Sequence, residues 1–532
     1  MTRWVVAGLT VVAALAQSPG APANSIEGAV LNDRTGQPLP RAHVVLTPAE
    51  GGLRPFAADT DEKGAFAIRD IAPGRYSLST SRDGFLTTSV SWLGGIPLQR
   101  TFWIPAKDAV AGLTVRLRPF AVLAGRISFE NGDPAMNIRV EAYREYRNHL
   151  RHGYALAANA VTNDLGEYRL FGLQPGSYVV AATERPTAAS EQTQALRYTT
   201  TFYANSTKLA EAVPVRLDYG QESDGIDVSM RRVRKVKLHG HVINGQTGEA
   251  VSSASIELQR VDTHDTASIA VTVPVTFDHD HRFEIHDVTP ESYTIWAESA
   301  DGGKALVGHA PLTVGESDID NVELTMLGPR PGSAVLVSGG VRLDQVKLRF
   351  EPRNERAKAV EVAKAAGIEG YHFSLMGDDR YDLFVTDLPN DFYLSAVGVN
   401  GENTMPAGIE GTAASPDHPF EVVLDPGGGR VSGRVLGPDD SLWSRASVAL
   451  IPDPPAGRVQ SYREGAADEN GLFLFRGVAP GKYILVGWLD EPPCDYWDPD
   501  SLANCRATGI SVEVQEAGEQ NVELKMKALA KR

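Results

Sequence analysis

The sequence predicts an all-β chain of about five tandem antiparallel β-sandwich domains behind a short leader. Three observations carry that expectation: a sixteen-residue signature recurs along the chain, a glycine-bearing strand recurs ahead of it, and an alternating strand closes each repeat. The opening glycines Gly28 and Gly433 lie 405 residues apart, four steps of about 101. A unit of that length can bury its own core, so the repeats are expected to be separate domains rather than turns of a solenoid.

The leader comes first. Met1-Thr2-Arg3 carries positive charge, Trp4 to Ala16 is apolar, and Ala14-Leu15-Ala16 offers small residues for a signal peptidase. Thirteen apolar residues rise only about 20 Å as a helix, short of a hydrocarbon core of roughly 30 Å. Residues 1–16 therefore read as a cleaved signal peptide with Gln17 as the mature start, and no later segment is apolar for long enough to span a bilayer. The expected location is outside the cytoplasm: periplasmic, envelope-associated or extracellular.

The signature reads DEKGAFAIRDIAPGRY from Asp61, NDLGEYRLFGLQPGSY from Asn163, DHDHRFEIHDVTPESY from Asp278 and DENGLFLFRGVAPGKY from Asp468. Asp or Asn, two residues, then Gly suits a tight turn, because the side chain caps its own backbone and Gly accepts positive φ. The pairs Phe66/Ile68, Tyr168/Leu170, Phe283/Ile285 and Phe473/Phe475 have the two-residue period of one strand face. Pro-Gly presets a corner, and Tyr76, Tyr178, Tyr293 or Tyr483 starts a second strand. A worn copy runs from Tyr371-His372-Phe373 to Tyr381, with its aromatics eight apart and no Pro-Gly.

Opening strands follow as IEGAV, LAGRI, LHGHV and VSGRV. Closing strands end at Leu117, Met230, Met326, Leu424 and Met526. The expected domains are 23–118, 119–232, 233–327, 328–426 and 427–532, the third and fourth degenerate. Glu355 to Lys364 is open between a short helix and a strand pair.

Composition narrows the function. A chain of 532 residues with 42% apolar and 22% charged residues is ordinary globular material, too long for one core. A net charge of −16 argues against nucleic acid and anionic membranes as partners, whose affinity comes from Lys and Arg. The basic run Arg231 to Lys237 reads as a solvated domain junction. Cys494 and Cys505, the two cysteines, are expected to bridge in an oxidising compartment.

The glycine-bearing strand, the stretches TGQPLPRAHVVL and TGEAVSSASIEL, then D-x-x-G-x-F and P-G-x-Y resemble the carboxypeptidase regulatory-like domain. Units 1, 2 and 5 match well. Unit 3 has His281 in place of the turn Gly and Glu291 in place of the corner Gly. The resemblance implies a transthyretin-like, Ig-like sandwich of about seven strands, grouped with carbohydrate-binding-like folds. It implies structural, accessory or surface-binding roles and no shared catalytic residues.

No catalytic residue, cofactor or metal site is expected. His281-Arg282-Phe283-Glu284 has the His-x-x-Glu spacing of a zinc carboxypeptidase, but Phe283 there is a core aromatic and no α/β body exists to complete the site. His239, His241, His279, His281 and His286 cluster in unit 3 and read as solvated residues of strand and turn. Asp495, Asp498 and Asp500 lack the Gly and Glu of an EF-hand loop.

The units differ in an insertion after the signature tyrosine strand. Unit 1 offers Trp92, Phe102 and Trp103, unit 2 Tyr198, Phe202 and Tyr203, and unit 5 Tyr496 and Trp497. Aromatic faces on loops suit stacking on sugars or peptide side chains. The alternative is that they cover an open end of the core or fill a junction between domains. The leading expectation is a secreted, non-catalytic binding or scaffold protein of the envelope or extracellular space, with glycans or envelope proteins as partners. A carbohydrate-binding protein using the aromatic loops is the first alternative, and a hydrolase with an unrecognised site the second.

Overall fold

The structure is a computed structural model. It describes residues 24–526 except 50–53, 88–91, 94–95, 98–101, 105–108, 148–151, 185–196, 252, 262–267, 272–274, 279–280, 302–303, 340, 342, 354–357, 366, 378, 400–401, 438–439, 441, 444–445, 456–458, 469, 490–491, 493 and 499–500. The expected signal peptide, 1–16, lies outside the described residues. Two compact units divide at Pro119 and Phe120. The first holds one β-sandwich (module 1) and the second holds four (modules 2–5). Among the described residues there is one α-helix, Leu502–Thr508, and no helix is long and apolar enough to cross a membrane.

All five sandwiches share one frame. In the first sheet the signature's leading strand pairs with the opening strand, which pairs in turn with the closing strand. In module 5 these are Leu472–Val478, Gly429–Leu436 and Glu519–Lys525. The second sheet places Ser447–Pro452 beside Gly481–Trp488, flanked by Arg463–Ala466 and Ile510–Val514. Opening and closing strands run parallel in every module, within sheets that are otherwise antiparallel. Parallel neighbours need a long crossover, and here the rest of the module supplies it.

The opening glycine sits opposite the leading signature aromatic in each module: Gly28 with Phe66, Gly125 with Tyr168, Gly240 with Phe283, Gly332 with Phe373 and Gly433 with Phe473. In modules 3, 4 and 5 the ring lies against the glycine. A Cβ on Gly28, Gly125, Gly240 or Gly433 would also press into the backbone carbonyl of the closing strand. Gly332, within PRPGSAV, completes the set in module 4 without the flanking pattern of the other four.

The signature's two strands lie in opposite sheets, so the corner between them carries the chain across the sandwich. The tyrosine after it locks that crossing. Its hydroxyl donates to the carbonyl four residues back, at Tyr76–Ala72 (2.8 Å), Tyr178–Gln174 (2.6 Å), Tyr293–Thr289 (3.0 Å) and Tyr483–Ala479 (2.7 Å). Module 4 has the shorter corner and reverses the bond: Met376 N–H donates to the Tyr381 hydroxyl at 3.0 Å. Each ring is buried, so a lost hydroxyl partner would cost about 1–3 kcal/mol.

The turn ahead of the signature is built as its residues require. Asp468 Oδ1 accepts from the N–H groups of Asn470 and Leu472, both at 2.8 Å, and Asp61 and Asn163 do the same in modules 1 and 2. Gly64, Gly166 and Gly471 take φ of +71°, +74° and +71°. In module 3 His281 occupies that place at φ +60°, a conformation that costs an L-residue about 1–2 kcal/mol. His281→Gly is therefore expected to stabilise module 3, and Gly471→Val to destabilise module 5, by about 1–2 kcal/mol each. Calorimetric unfolding of the full chain would read both, and equal melting profiles would count against the turn assignment.

In the segment Glu355 to Lys364, Val360–Ala363 forms a strand paired with Lys347–Pro352. Each sandwich keeps its own apolar core between its sheets. Those of modules 1 to 4 centre on Tyr76, Tyr178, Phe283 and Tyr381, and that of module 5 on Phe473 and Tyr483.

Candidate functional site

The most distinctive surfaces are the outer faces of the second sheets. In module 1 the signature tyrosine strand, YSLST, buries alternate residues and leaves its serines part-exposed. In modules 2 and 5 the corresponding strands read YVVAA and YILVG, and both faces are buried. A continuous apolar run is the mark of a strand covered on both sides. That signal was present in the sequence beside the aromatic insertions. The insertions are what cover these faces.

In module 2, Phe202 and Leu209 pack on Val179 and Ala181, and Ile269 of module 3 joins the same cluster. The insertion also bonds to module 3. Leu209 N–H donates to Glu291 Oε1 at 2.6 Å, and the Thr199 and Thr289 hydroxyls share a bond of 2.9 Å. Glu291 Oε2 lies 2.7 Å from Arg260 Nε, off-axis for a hydrogen bond, so the contact is an ion pair. The guanidinium also lies 5.8 Å from the centre of the Phe202 ring.

In module 5, the Cys494–Cys505 bridge closes a loop over Ala449, Ile451, Ile484 and Val486, with Tyr496 and Leu502 packed beneath it. Trp497 stacks on Tyr462 at 4.1 Å, and the Tyr496 hydroxyl donates to Glu464 Oε1 at 2.8 Å. Burial pushes the Tyr462 phenol up to about 12. Burial also raises the Tyr496 phenol, with the Glu464 carboxylate adding to the shift. Arg506, on the helix Leu502–Thr508, holds Asp453 through two bonds of 2.7 and 3.1 Å.

The eight aromatics singled out in the insertions are thus placed in different surroundings. Phe202 is buried. Tyr198 packs against Phe129 at 4.7 Å with the Arg232 guanidinium 4.4 Å from its ring, and Tyr203 lies part-buried on the core of module 2. Tyr496 and Trp497 belong to the cover of module 5. Trp92 and Phe102 fall in the strands Trp92–Leu93 and Phe102–Ile104, and their side chains lie outside the described residues. Trp103 is 62% exposed.

Among the described residues, no group of three or more His, Cys, Asp or Glu side chains could hold a metal ion. Within His281-Arg282-Phe283-Glu284, Phe283 is buried and Glu284 faces the opposite side of the sheet. Its Oε1 meets Lys237 at 3.0 Å, His239 at 3.2 Å and His286 at 3.3 Å. The bond from Lys237 is the largest cause holding the Glu284 carboxyl below its usual range, and the contacts with His239 and His286 act in the same direction. His241 faces Glu323 at 3.5 Å, while His279 and Asp500 lie outside the described residues. Burial raises the Asp495 carboxyl. A cleft of about 670 Å³ in module 2 is lined by Arg126, Glu167, Arg169, Asp224 and Asp227. Its arginines are already paired, Arg126 with Glu167 and Arg169 with Glu222, both at 3.1 Å.

The carboxypeptidase regulatory-like domain matches residues 25–118. Module 1 carries that domain. Among solved structures the chain is similar to a streptococcal ancillary pilin, at 12% identity over 57% of this chain and 99% of that one (TM-score 0.20). It is also similar to a minor pilin of Streptococcus agalactiae, at 13% identity over 40% and 96% of the two chains (TM-score 0.23). The major pilin subunit of Bacillus cereus aligns at 10% identity over 95% and 100% (TM-score 0.15). Scores this low leave the role of the chain to its own residues. No curated protein sequence matches the chain.

The regulatory-like module differs from modules 2 and 5 in how its insertion is used. Its strand Phe102–Ile104 extends the second sheet, with Trp103 opposite Arg75. Ile104 turns into the core while Trp103 faces outward.

Proposed function

We propose that this chain is an exported, non-catalytic array of β-sandwich modules that serves as a spacer and scaffold at the cell envelope or in the extracellular space. One observation carries the reading: the insertions of modules 2 and 5, where a binding or catalytic surface would be sought, cover sheet faces, and that of module 2 also joins its module to the next. Short links agree with it. Two residues separate closing from opening strands at Leu327-Gly328 and Gly427-Gly428, a reach of about 7 Å that restricts reorientation. Expression of the full precursor, followed by fractionation, N-terminal sequencing and cross-linking, tests it. The mature chain is expected outside the cytoplasm, starting at Gln17 and cross-linked to envelope proteins. Cytoplasmic retention with residues 1–16 intact would sink the reading, as would a hydrolytic activity that co-purifies stoichiometrically with the chain.

A second reading rests on Trp103, whose exposed ring on a paired strand offers a rigid stacking face for a sugar. Retention of the chain on insoluble polysaccharide is then expected to fall about tenfold in Trp103→Ala, the loss of one stacking contact of about 1.4 kcal/mol. Equal retention of the variant would remove this reading and leave the scaffold.

A further inference from the structure

Module 3 departs from its siblings at the signature corner. Modules 1, 2 and 5 read Ala72-Pro73-Gly74, Gln174-Pro175-Gly176 and Ala479-Pro480-Gly481, whereas module 3 reads Thr289-Pro290-Glu291. The tyrosine lock at that corner is intact, since the Tyr293 hydroxyl still donates to Thr289 O at 3.0 Å. The corner itself is therefore formed, and Glu291 is not needed to form it.

Both new side chains face module 2. The Thr289 hydroxyl bonds that of Thr199 at 2.9 Å, and both threonines are buried. One oxygen of Glu291 takes the Leu209 N–H at 2.6 Å and the other meets Arg260 at 2.7 Å. The Glu291 and Arg260 side chains are 2% and 8% exposed. A carboxylate and a guanidinium so far from water are tolerated only while each has its partner. The apolar cluster beside them draws on both modules, through Phe202 and Leu209 on one side and Ile269 on the other.

We propose that the corner of module 3 is a socket for the insertion of module 2, and that the socket couples the two modules into one cooperative unit. The residues that look like decay of the signature are the ones that make the joint. If module 2 withdrew, Glu291 would lose its backbone donor and Thr289 its partner. If Glu291 were lost, Arg260 would remain buried without a counter-charge and the Leu209 N–H without an acceptor. Coupling is therefore reciprocal, as a shared free energy requires.

Hydrogen–deuterium exchange on the full-length mature chain tests this from both sides. In Glu291→Gly, which restores the sibling residue, amides of residues 199–217 in module 2 are expected to exchange on the order of 100-fold faster. Amides of 481–488 in module 5 should keep their wild-type rates. From the other side, Thr199→Val is expected to speed exchange at residues 289–295 of module 3, although the change lies in module 2. Conservative Glu291→Gln keeps an acceptor for Leu209 and should fall between wild type and glycine. Changes confined to the mutated module in both single variants would overturn the proposal. Should Glu291→Gly unfold module 3 outright, Thr199→Val decides alone. Exchange reads the joint and fractionation reads the role, so either idea can fail without the other.

Discussion

Gly433→Val is expected to prevent folding of module 5 while leaving module 1 intact. A Cβ at this position would press into the carbonyl of Val522 on the parallel closing strand and lie 3.0 Å from the Phe473 ring. Neither neighbour can yield. The ring fills the core, and the carbonyl belongs to a strand held in register from Glu519 to Lys525. Overpacking of a core usually costs about 1–3 kcal/mol, and more where backbone must move. For a sandwich of some 100 residues with a typical stability of 5–15 kcal/mol, a backbone clash added to a branched side chain removes much of the margin. Differential scanning calorimetry of the full chain is the measurement. One calorimetric component should disappear, and limited proteolysis should then cut within residues 427–526. An unaltered thermogram would mean that the glycine–aromatic pairing does not organise the sandwich.

The second large effect is expected at the bridge. Cys505→Ser opens the Cys494–Cys505 loop, whose ends are eleven residues apart. Loss of a native disulfide in a small domain typically costs about 2–5 kcal/mol. Here the loss has a particular structural consequence. The loop carries Tyr496 and Leu502 over Ala449, Ile451, Ile484 and Val486, so opening it uncovers an apolar sheet face. Module 5 is expected to melt earlier and to bind a hydrophobic dye before global unfolding, with module 2 unaffected. Reduction of the wild-type chain should reproduce the result. A variant with wild-type melting and no dye binding would show that packing alone holds the cover in place.

Much of the fold was legible in the sequence because the signature is a local code. Asp-x-x-Gly writes a turn, a two-residue period writes a strand, and Pro-Gly-x-Tyr writes a corner. Each acts within a few residues, so no knowledge of distant chain was needed. Even the departures could be read locally: His281 marked a left-handed residue lacking its glycine, and Tyr381 marked a shortened corner. Gly332 escaped notice because its role is visible only across the sheet, opposite Phe373.

The candidate site was less legible. Tyr198, Phe202, Tyr203, Tyr496 and Trp497 were identifiable as insertion aromatics, but sequence left open whether their rings bind or pack. For Phe202, Tyr496 and Trp497 the deciding clue lay on the strand they cover, where YVVAA and YILVG replace the alternation of YSLST. Glu291 was read as a worn corner because its partners, Leu209 and Arg260, stand 82 and 31 positions away in the chain.

What the sequence determined by itself was the kind of unit and roughly how many there are, since turn chemistry and strand period act between near neighbours. Tertiary structure alone decided which faces are covered, that opening and closing strands run parallel, and that a glutamate at one corner belongs to a joint. These depend on groups brought together from remote positions, where burial and charge pairing, rather than local backbone preference, set the energy.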